Sequence, residues 1–362
     1  MSIAEEAEVK RRGEMENVLR EDLDHILENT RELWEEVRGT RIFITGGTGF
    51  FGAWLLESFA WANARLHLNA SAVVLSRNPE AFNRKAPHLF SDPAIHFHAG
   101  DVCNFTFPQG SFSHIIHAAS SIASPSDLPA PVALFESMVK GARQTCEFAR
   151  RCSAKKILFT SSGAVYGKQP SELSHVPEEY AGAPEMMNSA SAYGEGKRAA
   201  EFLTAAYAEQ CGFESKIARC FAFAGPHLRL DANFAIGNFM RDALNNEPIC
   251  IKGDGTPFRS YLYAADLAIW LWTILFKGKS CHPYNVGSDV AVSIAGLAEE
   301  VARIAGSSHE VRIEKIALPG KPPERYVPSI KRAQNELGLS VKIPLQESIR
   351  RTMMWHKKIL AM

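Results

Sequence analysis

Residues 41–52 read Arg-Ile-Phe-Ile-Thr-Gly-Gly-Thr-Gly-Phe-Phe-Gly, and this stretch decides the fold. Ile42 to Thr45 are apolar or β-prone and predict a short buried strand. Glycines at 46, 49 and 52 follow with the spacing G-x-x-G-x-x-G, and an apolar-periodic helix opens at Ala53, Trp54, Leu55, Leu56 and Phe59. The three glycines allow a tight turn after the strand, close approach of backbone to a pyrophosphate, and close packing of helix on strand. The free N–H groups and partial positive charge of the helix N-terminus then favour phosphate. A glycine turn alone is a weak signal; set between a strand and a helix it predicts a dinucleotide site.

Outward from that stretch the chain is ordinary in bulk. Its 362 residues suffice for one large α/β domain with a smaller lobe. Lys+Arg and Asp+Glu each number 40, so no basic excess points to nucleic acid or to an anionic membrane. No apolar run approaches the roughly 20 residues that span a bilayer, and the N-terminal residues mix acidic and basic side chains instead of forming an apolar leader. The cysteines at 103, 146, 152, 211, 220, 250 and 281 are scattered and odd in number, which reads as reduced thiols with no structural zinc. These features predict a cytoplasmic protein with neither nucleic-acid nor membrane partners.

The predicted fold class is α/β: a Rossmann-type doubly wound parallel sheet with a smaller C-terminal substrate-binding lobe and an N-terminal helical extension. Residues 1–40 form the extension, where Val18, Leu19, Leu23, Ile26, Leu27, Leu33, Trp34 and Val37 have helical spacing. Two readings of it stay open, a segment packed on the core or a dimerisation arm. Residues 41–230 alternate strand-like with helix-like runs, with strands at 72–76, 95–98, 114–117, 156–161 and 214–220; parallel strands need such crossovers. Beyond 225, Gly225-Pro226, Gly253-Asp254-Gly255, Pro319-Gly320 and Pro322-Pro323 break the pattern, so residues 231–362 are assigned mainly to the lobe.

Ligands of doubly wound sheets lie outside the carboxyl ends of the strands. The second strand ends Leu75-Ser76-Arg77-Asn78, with no acid before Glu80 to take a ribose 2′-hydroxyl. A guanidinium suits a 2′-phosphate, so NADP(H) is favoured and NAD(H) remains possible; the competing reading has Arg77 stacked on adenine or in solvent. Asp101 could accept from an adenine amino group or be a solvated loop residue, and Val102 follows it. Ala118 and Ala119, after the fourth strand, are small where backbone passes the cofactor. With Gly46, Thr48, Gly49, Phe50, Phe51, Gly52, Ser76 and Ser161 they make up the predicted cofactor contacts; Ser120 is assigned to substrate. His96, His98, His114 and His117 fall on two strands with alternating direction, which argues against a metal site.

The second signal is Tyr193-Gly-Glu-Gly-Lys197. Residues i and i+4 share a helix face, so the ammonium can stabilise phenolate and draw the Tyr193 pKa toward working pH. Lys197 can also hold the nicotinamide ribose. Between the loop and this pair stands Thr160-Ser161-Ser162-Gly163-Ala164-Val165-Tyr166-Gly167, where the Ser162 hydroxyl can bond a substrate oxygen and guide its proton to Tyr193.

On these residues the chain resembles the extended short-chain dehydrogenase/reductases, specifically the nucleotide-sugar epimerase/dehydratase family, over residues of about 41–355. Weaker signatures follow in order. Gly100-Asp101-Val102 resembles the adenine-contact segment, and Arg219-Cys-Phe221 with Gly225-Pro226 resembles R-x-F-N-x-x-G-P. Gly253-Asp254-Gly255 through Arg259, Tyr263 and Asp266, then Tyr284-Asn285-Val286-Gly287, match later family blocks. The resemblance implies that Asn238, Arg259 and Arg325 contact a nucleotide diphosphate, and that the protein is a homodimer built through the Tyr/Lys helix and the one before it.

The departures bear on mechanism. Family 4,6-dehydratases carry T-D-E before V-Y-G, the acid and base of their elimination; Ser162, Gly163 and Ala164 stand there in this chain. The similar decarboxylases have Glu at the position of Ala164. Ala222 and Met138 replace two family asparagines. The remaining set, Ser162, Tyr193 and Lys197, resembles that of 4-epimerases and 4-ketoreductases, implying hydride transfer at C4 of a nucleotide-diphosphate sugar. Two alternatives stand beside it: a 4,6-dehydratase in which Glu195 or His117 replaces the missing pair, and a non-catalytic dinucleotide-binding protein.

Overall fold

A computed structural model describes residues 19–119, 130–232, 234–306 and 309–360. Seven parallel strands form the central sheet: β1 (Arg41–Thr45), β2 (Ser71–Ser76), β3 (Ile95–Ala99), β4 (His114–His117), β5 (Lys156–Ser162), β6 (Glu214–Cys220) and β7 (His282–Val286). Their spatial order is β7-β6-β5-β4-β1-β2-β3. Order reverses between β1 and β4, where β1 meets β2 on one side and β4 on the other. The doubly wound class expected from the alternation is the one found. The five short strands after β1 read from sequence each lie within a residue of the observed ones.

β7 is different. The irregular stretch beyond 225 returns to the sheet there, with Cys220 and Val286 as register partners. Its sequence, His-Pro-Tyr-Asn-Val, contains a proline, which the edge position tolerates.

The longer helices are α1 (residues 19–30), α2 (Phe50–Leu66), α3 (Pro131–Cys152) and α4 (Ala192–Cys211), then α5 (Ala235–Leu244), α6 (Ala264–Lys277), α7 (Ile294–Ala305) and α8 (Leu345–Leu360). α6 is buried through thirteen consecutive residues, Ala264 to Phe276, so it lies within the molecule and not on its surface. Residues 19–37 pack onto it. Leu23, Ile26, Trp34 and Val37 join the main core, and Trp34 meets Trp272 with ring centroids 4.6 Å apart. Tyr263 donates to Asp22 at 2.6 Å, and Arg351 of α8 pairs with the same carboxylate. The described part of the extension is thus packed on the core. A second cluster, built from Ile236, Phe239, Met240, Leu297, Val301 and Met353, unites α5, α7 and α8 with Ile249 and Ile251. Among the described residues, no helix is long and apolar enough to cross a membrane.

Candidate active site

The glycine turn lies against backbone. Gly46 has φ of 71°, and a Cβ on it would stand 2.5 Å from the carbonyl of Ala118 and the nitrogen of Ala119. A Cβ on Gly52 would meet Gly47 backbone at 2.3 Å, which fixes how closely α2 begins against the turn. No side chain fits either place. Gly49 is the N-cap of α2 and offers no capping side chain, so the first N–H groups of the helix are left to a ligand. Thr48 lies in the turn. Phe50 and Phe51 open the helix, and Phe51 packs edge-on against Phe223 at 5.1 Å. These residues fit a dinucleotide pyrophosphate.

Around the cleft, Thr45 Oγ1 accepts from Ala119 N at 3.3 Å. Ser76 Oγ accepts from Asn78 N at 3.2 Å, and Arg77 is exposed beside it. Asp101 accepts from Cys103 N at 2.9 Å, so its carboxylate shapes its own turn. Val102 packs over the α3 position of Gly141. Ser120 lies outside the described residues.

α4 carries Tyr193 in its first turn and Lys197 one turn on. Lys197 is buried, donates from Nζ to the carbonyl of Thr160 at 2.8 Å, and stands 5.9 Å from the centre of the Tyr193 ring. Burial pushes its ammonium down to about 8, partly countered by Glu201. His117 is also buried, its Nδ1 between Thr45 Oγ1 (3.1 Å) and Thr145 Oγ1 (2.9 Å). Burial, with the Lys197 charge beside it, pushes that imidazole down to about 3. A neutral, enclosed ring of this kind is a poor replacement acid. Glu195, the other replacement considered, lies 3.7 Å from Arg198.

Ser161 and Ser162 end β5, and alternation along the strand sends their side chains in different directions. Ser161 Oγ donates to Glu201 at 2.5 Å, so its hydroxyl is engaged inside the protein. Glu201 also receives Arg219 through Nε (3.0 Å) and Nη2 (2.7 Å). Arg219 donates to Tyr166 Oη at 2.9 Å, and Tyr166 donates to Asn285 Oδ1 at 2.7 Å. This chain ties α4, β5, β6 and β7 together behind the catalytic face. Sequence reasoning singled out Arg219 and Asn285 only within motifs. Glu201 was missed, although it stands one further turn along the helix from Lys197.

Ser162 Oγ accepts from Ala164 N at 3.2 Å and lies 3.5 Å from Tyr326 Oη. Tyr326, also missed, stacks on Phe221 with centroids 4.6 Å apart. A Cβ on Gly163 would collide with both rings, at 2.7 Å from Phe221 and 2.8 Å from Tyr326 Oη. The space of the missing dehydratase acid is therefore filled by aromatic rings. Arg259 and Arg325 occupy adjacent strands of a small sheet, the guanidinium of Arg325 lying 4.5 Å over the Phe258 ring. Asn238 is set apart on α5. With its amide nitrogen toward the 230–232 turn it donates to Leu230 (3.2 Å) and Ala232 (3.0 Å). It also lines a cavity of about 820 Å³ with Arg241, Lys252 and Arg312. Among the described residues, no group of three or more His, Cys, Asp or Glu is arranged to hold a metal.

The comparisons with known proteins agree with this architecture. UDP-glucuronic acid decarboxylase 3 of Arabidopsis thaliana is 30% identical over 311 residues, covering 85% of this chain and 86% of the relative. UDP-glucuronic acid decarboxylase 1 of Xenopus tropicalis is 27% identical over 369 residues, covering 99% and 84%. In structure, the UDP-glucose 4-epimerase of Thermotoga maritima with UDP-glucose superposes with a TM-score of 0.73 at 20% identity, over 88% of this chain and 99% of that one. The UDP-glucuronic acid 4-epimerase of Bacillus cereus, in complex with UDP-glucuronic acid and NAD, gives 0.73 at 21% identity over the same shares. The profile of the NAD dependent epimerase/dehydratase family matches residues 42–287, from β1 through β7. The protein is an enzyme of the NAD dependent epimerase/dehydratase family.

Proposed function

We propose that the protein acts at C4 of a nucleotide-diphosphate sugar, as a 4-epimerase or a 4-ketoreductase. The observation that carries this reading is the pairing of a retained Ser162–Tyr193–Lys197 set with a position 163 closed by Phe221 and Tyr326. When bound, the dinucleotide supplies a site that takes up or returns hydride at C4. Tyr193 exchanges the proton of the C4 oxygen, Ser162 holds that oxygen, and Lys197 provides positive charge one helical turn away. Ala164, a methyl group, exchanges no proton, so neither C5 deprotonation nor a carboxylate-assisted decarboxylation has a base there. Arg259, Arg325 and Asn238 are assigned to the substrate diphosphate side.

Arg77, with no carboxylate at the end of β2, supports NADP(H) over NAD(H) and so leans toward the reductase. Apolar side chains exposed on α3 and α4, Val132 and Phe202 at 72% and 71%, support a homodimer through these helices; sedimentation at twice the protomer mass is the check.

Incubation with UDP-, dTDP- and GDP-sugars, followed at the nicotinamide absorbance band, tests the reaction. Stoichiometric loss of NADPH identifies a ketoreductase, and an epimeric product without net oxidation identifies an epimerase. A 4-keto-6-deoxy product or release of carbon dioxide from UDP-glucuronic acid would overturn the reading. Tyr193→Phe should lower turnover by about 10²–10⁴-fold and spare dinucleotide affinity; unchanged turnover would remove Tyr193 from its role.

A further inference from the structure

Tyr326 belongs to no motif, yet it reaches the centre of the site from far along the chain. Its backbone pairs with Arg259, its ring is held against Phe221, and the Arg259 guanidinium lies 6.0 Å from its centroid. These contacts fix where the hydroxyl can be. Its separation of 3.5 Å from Ser162 Oγ is at the outer limit for a hydrogen bond, so the phenol keeps donor and acceptor capacity for a ligand. Burial pushes the phenol up, so it stays protonated at working pH.

Tyr326 thus brings a further hydroxyl beside Ser162, where on the function proposed above Ser162 and Tyr193 suffice for proton exchange at one oxygen. In a pyranose, oxygens on neighbouring carbons stand about as far apart as hydrogen-bonded atoms. A hydroxyl beside Ser162 that does not serve the reacting oxygen therefore faces the substituent next to it. We propose that Tyr326 is a substrate-positioning residue whose hydroxyl bonds a neutral hydroxyl group on the sugar carbon next to, or one bond beyond, the carbon addressed by Ser162. This rests on the function proposed above and names the feature of the sugar that the site reads. The bond orients the ring so that the C4 oxygen, and no other, meets Tyr193.

The test is Tyr326→Phe, which keeps the ring on Phe221 and removes the oxygen alone. Binding of UDP-glucose and UDP-xylose, which lacks the hydroxymethyl group, is measured by calorimetry with the dinucleotide bound, and kcat and KM are measured where turnover occurs. Dinucleotide affinity should be unchanged, showing an intact fold. UDP-glucose should bind about tenfold more weakly, the loss of one buried hydrogen bond. A loss confined to UDP-glucose assigns Tyr326 to the C6 hydroxyl, and an equal loss for both sugars assigns it to the C3 hydroxyl. Affinities within twofold of wild type for both would overturn the role of Tyr326 and leave the C4 reading intact. Failure of the wild type to bind either sugar, or its dTDP or GDP counterpart, would overturn the C4 reading and this proposal with it.

Discussion

Glu201→Ala removes the centre of the network behind the helix that carries Tyr193 and Lys197. Arg219 would lose its bonds from Nε and Nη2, retaining Tyr166 Oη at 2.9 Å and the carbonyl of Glu178 at 3.5 Å. Ser161 would lose its acceptor as well. Breaking a buried ion pair from one side costs about 3–5 kcal/mol, because the remaining charge stays out of water. The Arg219 side chain keeps 16% exposure, so some rehydration is open to it, and the lower end, about 3 kcal/mol, is expected. With a urea m-value near 3 kcal/mol/M, that is a midpoint shift of about 1 M. Replacing both partners by apolar residues, Glu201→Leu with Arg219→Met, should recover most of the loss, since no charge is then stranded. The single variant should also lose turnover, because Lys197 stands one turn away on the same helix. A midpoint for Glu201→Ala within about 0.2 M of wild type, or a double variant as unstable as the two losses summed, would refute the reasoning.

Three further outcomes are expected. Lys197 is held at about 8 against an ordinary 10.5, so between these pH values the unfolded chain binds the extra proton. Wild-type stability should therefore rise with pH through this window, by on the order of 3 kcal/mol relative to Lys197→Met; parallel denaturation curves at pH 7 and pH 10.5 would count against the burial of a charge there. Arg77→Glu should reverse the cofactor preference, weakening NADPH by about 10–100-fold while sparing NADH, as loss of charge-assisted bonds implies; an unchanged ratio in fluorescence titrations removes Arg77 from the phosphate site. Gly163→Asp should add no dehydratase activity and should lower stability by about 1–3 kcal/mol, from overpacking against Phe221 and Tyr326; a stable variant yielding a 4-keto-6-deoxy sugar contradicts this.

What the sequence disclosed and what it hid follow from the range of the interactions. β1, β2 and β5 were legible as runs dominated by apolar and β-branched residues, β3, β4 and β6 by their place in the alternation with helix-like runs, and the glycine turn marks the first crossover by local geometry. β7 was not legible as a strand. Its polar Asn285 is acceptable in the interior only because Glu178, Tyr166 and the carbonyls of Val176 and Ser329 meet it from elsewhere in the chain. The Tyr193 and Lys197 pair could be found from helical spacing taken with the glycine turn and the Ser-rich end of β5. Tyr326 could not, since its relation to Ser162 spans 164 residues and arises from the pairing of two short strands. The Ser161 hydroxyl donates to Glu201, 40 residues further along the chain, a contact that its proximity to Ser162 in sequence does not disclose.

The return of the chain at β7 has a mechanical consequence. Cys220 and Val286 are register partners, and Phe221 N donates to Val286 O at 3.0 Å, so two of the crossings out of the sheet leave it side by side. Segments suspended from adjacent points turn readily about the line between them and resist sliding. Phe221 stands at one of these points and packs on Gly287 at the other, and the same ring supports Tyr326 over Gly163. One aromatic ring thus lies both at the junction of these crossings and beside Gly163. A displacement of the outer segments about this junction would carry the Phe221 ring, and with it the Tyr326 hydroxyl that faces Ser162.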